Sequence, residues 1–199
     1  MIRHDCIQGT EEWLQARCGI PTASEFHKIL TPKTLKPSAQ ADGYVYQLLA
    51  EIQCGPQENR TSAAMDRGTM LEPEAVAWYE FTQGVTVDRV GFITNDAGTV
   101  GCSPDGLVGD DGGLECKCLT DANHMRAVFD PKVDADYTLQ VQGGLWLSGR
   151  EWWDLCMYHP ILPPVVRRQF RDEKIIQAIA HAAANVTMAL AGMRAKLGI

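Results

Sequence analysis

The amino-acid sequence predicts an α/β fold, in which helices flank a central mixed β-sheet. Apolar residues recur at helical spacing over residues 42–54 and again over residues 172–197. Apolar and polar residues alternate, as they do in strands, between residues 85 and 119. A helical segment at 134–148 then separates these strands from two more near the C-terminus. This succession of helices and strands is typical of an α/β domain.

The composition indicates a globular protein that forms one domain over residues 1–199. Its 45% hydrophobic and 22% charged residues are ordinary for such a chain, and its length allows a sizeable core. No run of about 18 apolar residues occurs, so we expect no membrane span. The first six residues lack the apolar core of a signal peptide. Seven cysteines without framework spacing favour reduced thiols and a cytoplasmic location.

The net charge of −7 argues against a broadly basic surface for nucleic acid. It permits a local basic surface, because lysines and arginines can face one channel while acidic residues lie elsewhere. A metal ion can also neutralise part of the acidic charge.

The N-terminal segments predict two short helices and a loop. Thr10 is a good N-cap for the first helix, because glutamates fill the next two positions. A second helix over residues 22–30 is halted by a proline. Residues 31–41 contain two prolines and two lysines and predict a mobile basic loop. Lys33 and Lys36 in this loop are candidates for contact with a DNA backbone, or are simply solvated.

The remaining elements follow from caps and periodicity. Asp42 is expected to cap a third helix, and Ser62 to start a fourth that runs to Thr82. The last helix, about residues 172–197, is capped by Asp172 and carries an apolar stripe that packs on the core or on a neighbouring subunit. Predicted strands occupy residues 85–95, 98–108, 113–119, 152–159 and 165–171.

Residues 103–117 contain the densest set of chemically active side chains. If residues 114–118 form a strand, Glu115 and Lys117 point to the same face. A hairpin turn at residues 110–113 would return Asp105 to the side of Glu115. Two carboxylates suit Mg²⁺, and the lysine can position or deprotonate a bound water or neutralise a phosphate. The pattern indicates metal-assisted phosphodiester hydrolysis, although an ordinary turn and a solvated Glu–Lys pair give the same residues.

Other candidate residues carry two interpretations each. Arg17 and Ser24 lie near the end of one helix and the start of the next, which suits a phosphate site or merely a cap and a surface arginine. Glu72 is either partly buried and in need of a cation or an exposed helical glutamate. Tyr137 and Gln140 share a helix face with Gly144, either towards a site or as a surface stripe. His124 is predicted to be a surface residue.

Several motifs together carry a family resemblance. Pro104-Asp105 followed by Glu115-Cys116-Lys117 resembles the PD-(D/E)xK nuclease signature. The flanking motifs are more specific and resemble the phage lambda-type exonucleases, or YqaJ-like viral recombinases. They are residues 11–17, Thr22-Ala23-Ser24, Arg67-Gly68, Leu71-Glu72-Pro73, and Tyr137 with Gln140-Val141-Gln142. The resemblance spans residues 9–158, and it implies a restriction-endonuclease-like core.

The resemblance implies a function and its partners. The implied activity is a Mg²⁺-dependent 5′→3′ exonuclease that degrades one strand of linear double-stranded DNA to 5′-mononucleotides. The remaining 3′ single strand would serve phage-type recombination with a single-strand annealing protein, in the cytoplasm of a bacterial host. The resemblance also implies a ring-shaped homotrimer and two Mg²⁺ ions, for which Mn²⁺ can substitute.

The resemblance assigns roles position by position. Asp105, Glu115 and the backbone carbonyl of Cys116 would hold one metal, and Glu72 would support a second. Cys116 stands where the family usually has an aliphatic residue, which matters little if only its carbonyl meets the metal. The other implied roles are catalysis for Lys117 and Gln140, 5′-phosphate binding for Arg17, Ser24 and Ser103, and DNA contact for Tyr137, Lys33 and Lys36.

Met65 matches an apolar residue that separates the DNA strands in the family, but a buried core methionine is the more ordinary interpretation. Two functions from other classes stay open. One is an endonuclease or resolvase of the same fold, against which a terminal-phosphate pocket argues. The other is a module that binds DNA ends without catalysis, against which the complete set of Asp105, Glu115 and Lys117 argues.

Overall fold

The computed structural model describes residues 1–56 and 63–199, which form two sheets and seven α-helices in the order strand, helices, strands, helices, strands, helix. The helices are α1 Glu11–Arg17, α2 Phe26–Ile29, α3 Ala41–Cys54, α4 Ala63–Gln83, α5 Asp121–Phe129, α6 Thr138–Ser148 and α7 Glu173–Leu197. The strands are β1 Ile2–His4, β2 Val87–Asp88, β3 Phe92–Thr94, β4 Gly101–Cys102, β5 Gly106–Val108, β6 Gly112–Lys117, β7 Trp152–Met157 and β8 Val165–Phe170. Short 3-10 helices cover Ala23–Glu25 and Pro131–Asp136.

The larger sheet is mixed and has the order β2-β5-β6-β7-β8. Strands β6 and β7 are parallel, and the other neighbours in this sheet are antiparallel. The parallel pair is joined through α5 and α6, as parallel pairing requires a long crossover. Strand β6 therefore lies in the centre of the sheet, with a local partner on one side and a distant partner on the other. The smaller antiparallel sheet has the order β1-β3-β4.

Helix α7 begins at its predicted cap and packs on the core. The carboxylate of Asp172 accepts the backbone N–H groups of Lys174 and Ile175 at 3.0 and 3.2 Å, and Gly198 ends the helix in the left-handed conformation. Its length and composition alone would allow a membrane span. One face, however, packs on α3 and α6, which is the behaviour of a core helix. The buried residues of that face are Ile176, Ile179, Ala182, Ala183, Val186 and Leu190.

Two predicted strands are each divided between the two sheets, so the prediction of single strands at 85–95 and 98–108 is wrong. The first divides around Gly91, where a Cβ atom would lie 1.9 Å from the carbonyl oxygen of Cys6. This close crossing turns the chain from β2 of the large sheet to β3 of the small one. The second divides at residues 103–105, which lie between β4 and β5.

Several helical predictions also need correction. The predicted second helix is a 3-10 turn followed by the four residues of α2. Helix α3 begins at Ala41, so Asp42 lies inside its first turn and does not cap it. The start of α4 predicted at Ser62 lies outside the described residues. His124 is fully buried, so the prediction of a surface histidine is wrong; its Nε2 pairs with the carbonyl oxygen of Pro163 at 2.9 Å.

Candidate active site

The β5–β6 hairpin places Asp105 beside Glu115. Gly106 pairs with Leu114, so the residue before β5 faces the next residue of β6. The register follows from the turn at residues 109–111, where Gly109 adopts a positive φ of 54°. The backbone N–H of Cys116 donates to Oδ2 of Asp105 at 2.6 Å. The sequence prediction that this hairpin joins two carboxylates is confirmed at the level of geometry.

Glu115, Lys117 and Gln140 form a closed hydrogen-bonded group. Lys117 Nζ donates to Glu115 Oε1 at 2.7 Å and to Gln140 Oε1 at 3.2 Å. Gln140 Nε2 donates to the same Glu115 oxygen at 2.6 Å. Alternation along β6 brings Glu115 and Lys117 to one face, and Gln140 comes from α6, which covers that face. The ring of Tyr137 lies beside this group, with Lys117 Nζ 5.2 Å from its centroid.

Two glycines allow α6 to approach its neighbours closely, Gly144 towards β7 of the sheet and Gly143 towards α2. A Cβ atom at Gly144 would lie 2.8 Å from the Trp153 ring, and one at Gly143 would lie 2.6 Å from the Phe26 ring. Both rings are large and fully buried, so neither has free space to move into. The absence of a side chain at Gly144 therefore sets the distance between α6 and the sheet, and its absence at Gly143 sets the distance between α6 and α2.

The electrostatics of the group fix the charge of Lys117. Burial alone would lower the pKa of Lys117, but the carboxylates of Glu115 and Asp105 outweigh burial and raise it. Burial, followed by repulsion from Glu115, raises the pKa of Asp105 well above its ordinary range. The side chain of Lys117 is therefore an ammonium, suited to stabilise negative charge. Asp105 and Glu115 are 8% and 5% exposed, so negative charge on both is poorly solvated and would be stabilised by a bound cation.

Arg17 and Ser103 form a second group, which Trp13 holds in place. Arg17 Nη1 donates to Ser103 Oγ at 3.1 Å, and its guanidinium carbon lies 4.0 Å from the centroid of the Trp13 ring. Trp13 Nε1 also donates to Ser103 Oγ, at 2.9 Å. Arg17 and Trp13 are four residues apart on α1 and so share a face of that helix. Ser24 lies nearby, since its Oγ is 3.4 Å from Thr22 Oγ1, which is also a partner of Arg17.

One cleft of about 170 Å³ is lined by both groups. Asp105, Glu115 and Gln140 line it together with Arg17, Ser24 and Ser103. Six of the residues singled out from the sequence thus face the same space.

Glu72 does not line the cleft that Asp105 and Glu115 share. Arg89 Nη2 donates to Glu72 Oε1, and no group of three or more His, Cys, Asp or Glu side chains within residues 1–56 and 63–199 has the geometry to hold a metal ion. Electrostatic repulsion from Glu72 nevertheless contributes to the raised pKa of Asp105, after burial and repulsion from Glu115. Glu72 is partly buried, and its negative charge is balanced by the guanidinium of Arg89.

The other candidates lie outside the cleft. Lys33 and Lys36 are exposed on a turn where Thr31 N–H donates to the carbonyl oxygen of Lys36 at 2.8 Å. Met65 is 55% exposed, so the interpretation as a buried core methionine is wrong. It lines a neighbouring cavity of about 230 Å³, which also has Arg17 in its wall.

Comparison with known proteins places this site in a family. A model of the YqaJ-like viral recombinase domain matches residues 12–151. The chain belongs to this family. The structure of an alkaline exonuclease from Laribacter hongkongensis, LHK-Exo, is 34% identical, with a TM-score of 0.86 over 95% of this chain and 96% of that one. LHK-Exo in complex with dAMP is 33% identical, with a TM-score of 0.83 over 95% of this chain and 98% of that one.

A phage-related exonuclease from Haemophilus somnus 129PT shares the fold at 16% identity, with a TM-score of 0.72 over 89% of this chain and 96% of that one. No curated protein sequence gave a match to the chain. The matches confirm the predicted mixed α/β fold of the PD-(D/E)xK type and the predicted YqaJ-like family.

The donor set of this YqaJ-like chain fits a divalent metal. Asp105 Oδ2 is occupied by the Cys116 N–H, whereas the described residues give Oδ1 no hydrogen-bond donor. Glu115 Oε1 accepts hydrogen bonds from Lys117 and Gln140, whereas the described residues give Glu115 Oε2 no hydrogen-bond donor either. Two buried carboxylates, each with one oxygen available, match the oxygen ligands that Mg²⁺ and Mn²⁺ prefer.

Three residues around the site were given no role by the sequence prediction. Gln8 lines the cleft, and its amide donates to the carbonyl oxygens of Val90 and Pro104 at 2.9 and 2.7 Å. Trp13 holds Ser103, and its spacing of four from Arg17 was an available signal. Arg89 pairs with Glu72 across an element boundary, for which the sequence carries no periodic signal.

Proposed function

We propose that this YqaJ-like protein is a divalent-metal-dependent nuclease. The proposed reaction is that of a 5′→3′ exonuclease, which degrades one strand of linear double-stranded DNA to 5′-mononucleotides. The similar protein LHK-Exo is an alkaline exonuclease, and the similarity extends over nearly all of both chains, which supports the proposal. We assign this activity to one nuclease domain over residues 1–199.

The observation that carries the proposal is the single cleft shared by two kinds of group. One side holds carboxylates that suit a metal, and the other holds an arginine with hydroxyls that suit a phosphate. A phosphate bound by Arg17 and Ser103 would leave the next phosphodiester near Asp105 and Glu115. Such a juxtaposition has a use at a DNA end and none in the middle of a continuous strand.

The residues of this chain divide the chemical work. Asp105, Glu115 and the carbonyl of Cys116 would hold a Mg²⁺ or Mn²⁺ ion, and Glu72 would support a second. When bound, such ions lower the pKa of water and offset the charge of the phosphate. Lys117 supplies an ammonium that contacts Glu115 and Gln140, two residues that line the cleft, and it would stabilise the negative charge that develops on the phosphate oxygens. Gln140 fixes the positions of both Glu115 and Lys117 through its amide.

The 5′→3′ direction would come from Arg17, Ser24 and Ser103. A terminal phosphate carries more charge than an internal diester, so the half-buried guanidinium of Arg17 would distinguish the two. Tyr137, Lys33, Lys36 and Met65 are proposed DNA contacts beyond this pocket. The proposal extends to a homotrimeric ring, a single-strand annealing partner and the cytoplasm of a bacterial host.

The decisive experiment compares linear and covalently closed circular duplex DNA in Mg²⁺, with label at each end in turn. The exonuclease proposal predicts mononucleotides from the labelled 5′ end of linear DNA and no cutting of circles. Cutting of circles would identify an endonuclease, and binding without any product would identify a binding module. Both results contradict the proposal.

A pair of matched variants assigns the activity to the cleft. Asp105→Asn removes one proposed ligand, whereas Asp110→Asn makes the same change at an exposed turn of the same hairpin. The first should lose nearly all hydrolysis and the second none. Equal activity of the two folded variants would place the catalytic site elsewhere.

A further inference from the structure

The ion pair between Arg89 and Glu72 lies next to the cleft. Arg89 lines an adjoining cavity of about 170 Å³, and Gln8 lines both that cavity and the cleft. The Arg89 side chain is 48% exposed and that of Glu72 is 25% exposed, so the pair is reachable from solvent and only partly shielded. Arg89 follows β2 in the turn towards β3, whereas Glu72 comes from the middle of α4. The contact therefore joins helix α4 to the loop that follows β2.

Gln8 ties the backbone next to Arg89 to the backbone next to Asp105. Its amide donates to the carbonyl oxygens of both Val90 and Pro104. Arg89 is thus the neighbour of one end of this bridge, and Asp105 is the neighbour of the other. The bridge restricts how far the Arg89 backbone can move from the carboxylates, while its long side chain remains free to change rotamer.

We propose that Arg89 is a built-in counter-ion of Glu72, which competes with a second divalent cation for that carboxylate. This inference rests on the proposed function, because it assumes a first ion at Asp105 and Glu115. In the ion-free protein the guanidinium neutralises Glu72. A second ion binds when Glu72 exchanges Arg89 for the metal. Arg89 is therefore a positioning residue that sets the affinity of the second ion.

The competition follows from charge and geometry. A guanidinium and a divalent cation repel each other, so both cannot approach one carboxylate oxygen without a loss of binding energy. Arg89 can leave because nearly half of its side chain already lies in solvent, where it meets no desolvation cost. Exposed ion pairs are weak, so Arg89 should weaken the second ion by about two- to fivefold and not abolish its binding.

The test is calorimetric titration of metal-free protein with Mn²⁺, without DNA, so that the readout is binding and not hydrolysis. The variants are Arg89→Gln, Glu72→Gln and the double variant. Arg3→Gln is the matched control, since Arg3 forms an exposed ion pair with Asp88 at 2.9 Å beside the same strand. Arg89→Gln should tighten the weaker Mn²⁺ site by about two- to fivefold. Arg3→Gln should leave it unchanged.

The double variant separates competition at Glu72 from a general change in charge. It should show no gain over Glu72→Gln, because the carboxylate that Arg89 releases is then absent. Equal affinities in Arg89→Gln and Arg3→Gln, or a gain that persists in the double variant, would overturn the inference. One Mn²⁺ ion in every variant would also overturn it but leave a one-metal nuclease intact. Complete absence of Mn²⁺ binding in the wild type would refute the metal-dependent function itself.

Discussion

Replacing Arg17 with alanine should remove the preference for 5′-phosphorylated DNA ends. Arg17 donates to Ser103 at 3.1 Å and stacks on Trp13 at 4.0 Å, so its guanidinium is held in the cleft before any ligand arrives. Burial lowers the pKa of Arg17, but an arginine remains charged at neutral pH, so the cation is poorly solvated and gains strongly from a phosphate. No other described group in the cleft combines a positive charge with a planar pair of donors.

The size of the effect follows from the bonds that are lost. Each hydrogen bond to a charged group contributes about 1.5–3 kcal/mol, and about 1.4 kcal/mol corresponds to a factor of ten. The ratio of rates on 5′-phosphate and 5′-hydroxyl ends should therefore fall by about 10- to 150-fold. Loss of the stacking on Trp13 should cost about 0.5–1 kcal/mol of stability, which leaves the fold intact.

The assay measures initial rates on two duplexes that differ only in the 5′ group, at constant salt because phosphate contacts are screened. Arg126→Ala is the control, because Arg126 is exposed on α5 and forms only a long, weak ion pair with Asp130, with an N–O distance of 4.0 Å. Unchanged preference in Arg17→Ala, or an equal loss in the control, would refute the assignment of the phosphate pocket. A variant that loses hydrolysis on both ends equally would show that Arg17 serves the metal site instead.

Further predictions concern charge at the site and stability away from it. Lys117→Arg should lower hydrolysis about 100-fold while DNA binding is retained, because the planar guanidinium cannot occupy the place of a compact ammonium; full activity would show that any positive charge suffices. Asp105→Asn should raise the melting temperature of the metal-free protein by about 2–4 °C, because burial and repulsion from Glu115 disfavour the Asp105 carboxylate. The same variant should lose the further rise in melting temperature that Mg²⁺ gives the wild type. A lower melting temperature in the metal-free variant would contradict this prediction. Arg168→Ala should lower the free energy of unfolding, measured in urea, by about 2–3 kcal/mol without changing the rate of hydrolysis. The reason is that the variant removes the bidentate partner of the buried Asp154, whose two hydrogen bonds are 2.8 Å long. A loss of less than about 0.5 kcal/mol would mean that solvent screens the ion pair.

The centre of the site could be predicted from sequence because local rules determine it. The turn residues between β5 and β6 fix the hairpin register, and alternation along a strand then directs Glu115 and Lys117 to one face. The caps at Thr10 and Asp172 were found in the same way, from residues adjacent to the helix ends. These features depend on neighbours within a few positions.

Contacts between distant segments were not accessible to such rules. The break at Gly91 depends on the passage of Cys6, which lies far away in the sequence. The pairing of Glu72 with Arg89 depends on how α4 docks beside the sheet, and no spacing in the sequence encodes that docking. The burial of His124 similarly depends on the carbonyl oxygen of Pro163 in a later loop. Long-range packing decides all three.

The parallel pairing of β6 with β7 has a consequence for the order in which the protein is made. On a ribosome, β6 and its hairpin partner β5 emerge well before β7, which follows only after α5 and α6. A nascent chain that ends before Trp152 leaves one side of the strand that carries Glu115 without its hydrogen-bonding neighbour, and lacks the fully buried Trp153 against which α6 packs. Such non-local pairing closes late, because the entropy of the long connection must be overcome first. Hydrolytic activity therefore arises only once translation has passed β7, near the end of synthesis.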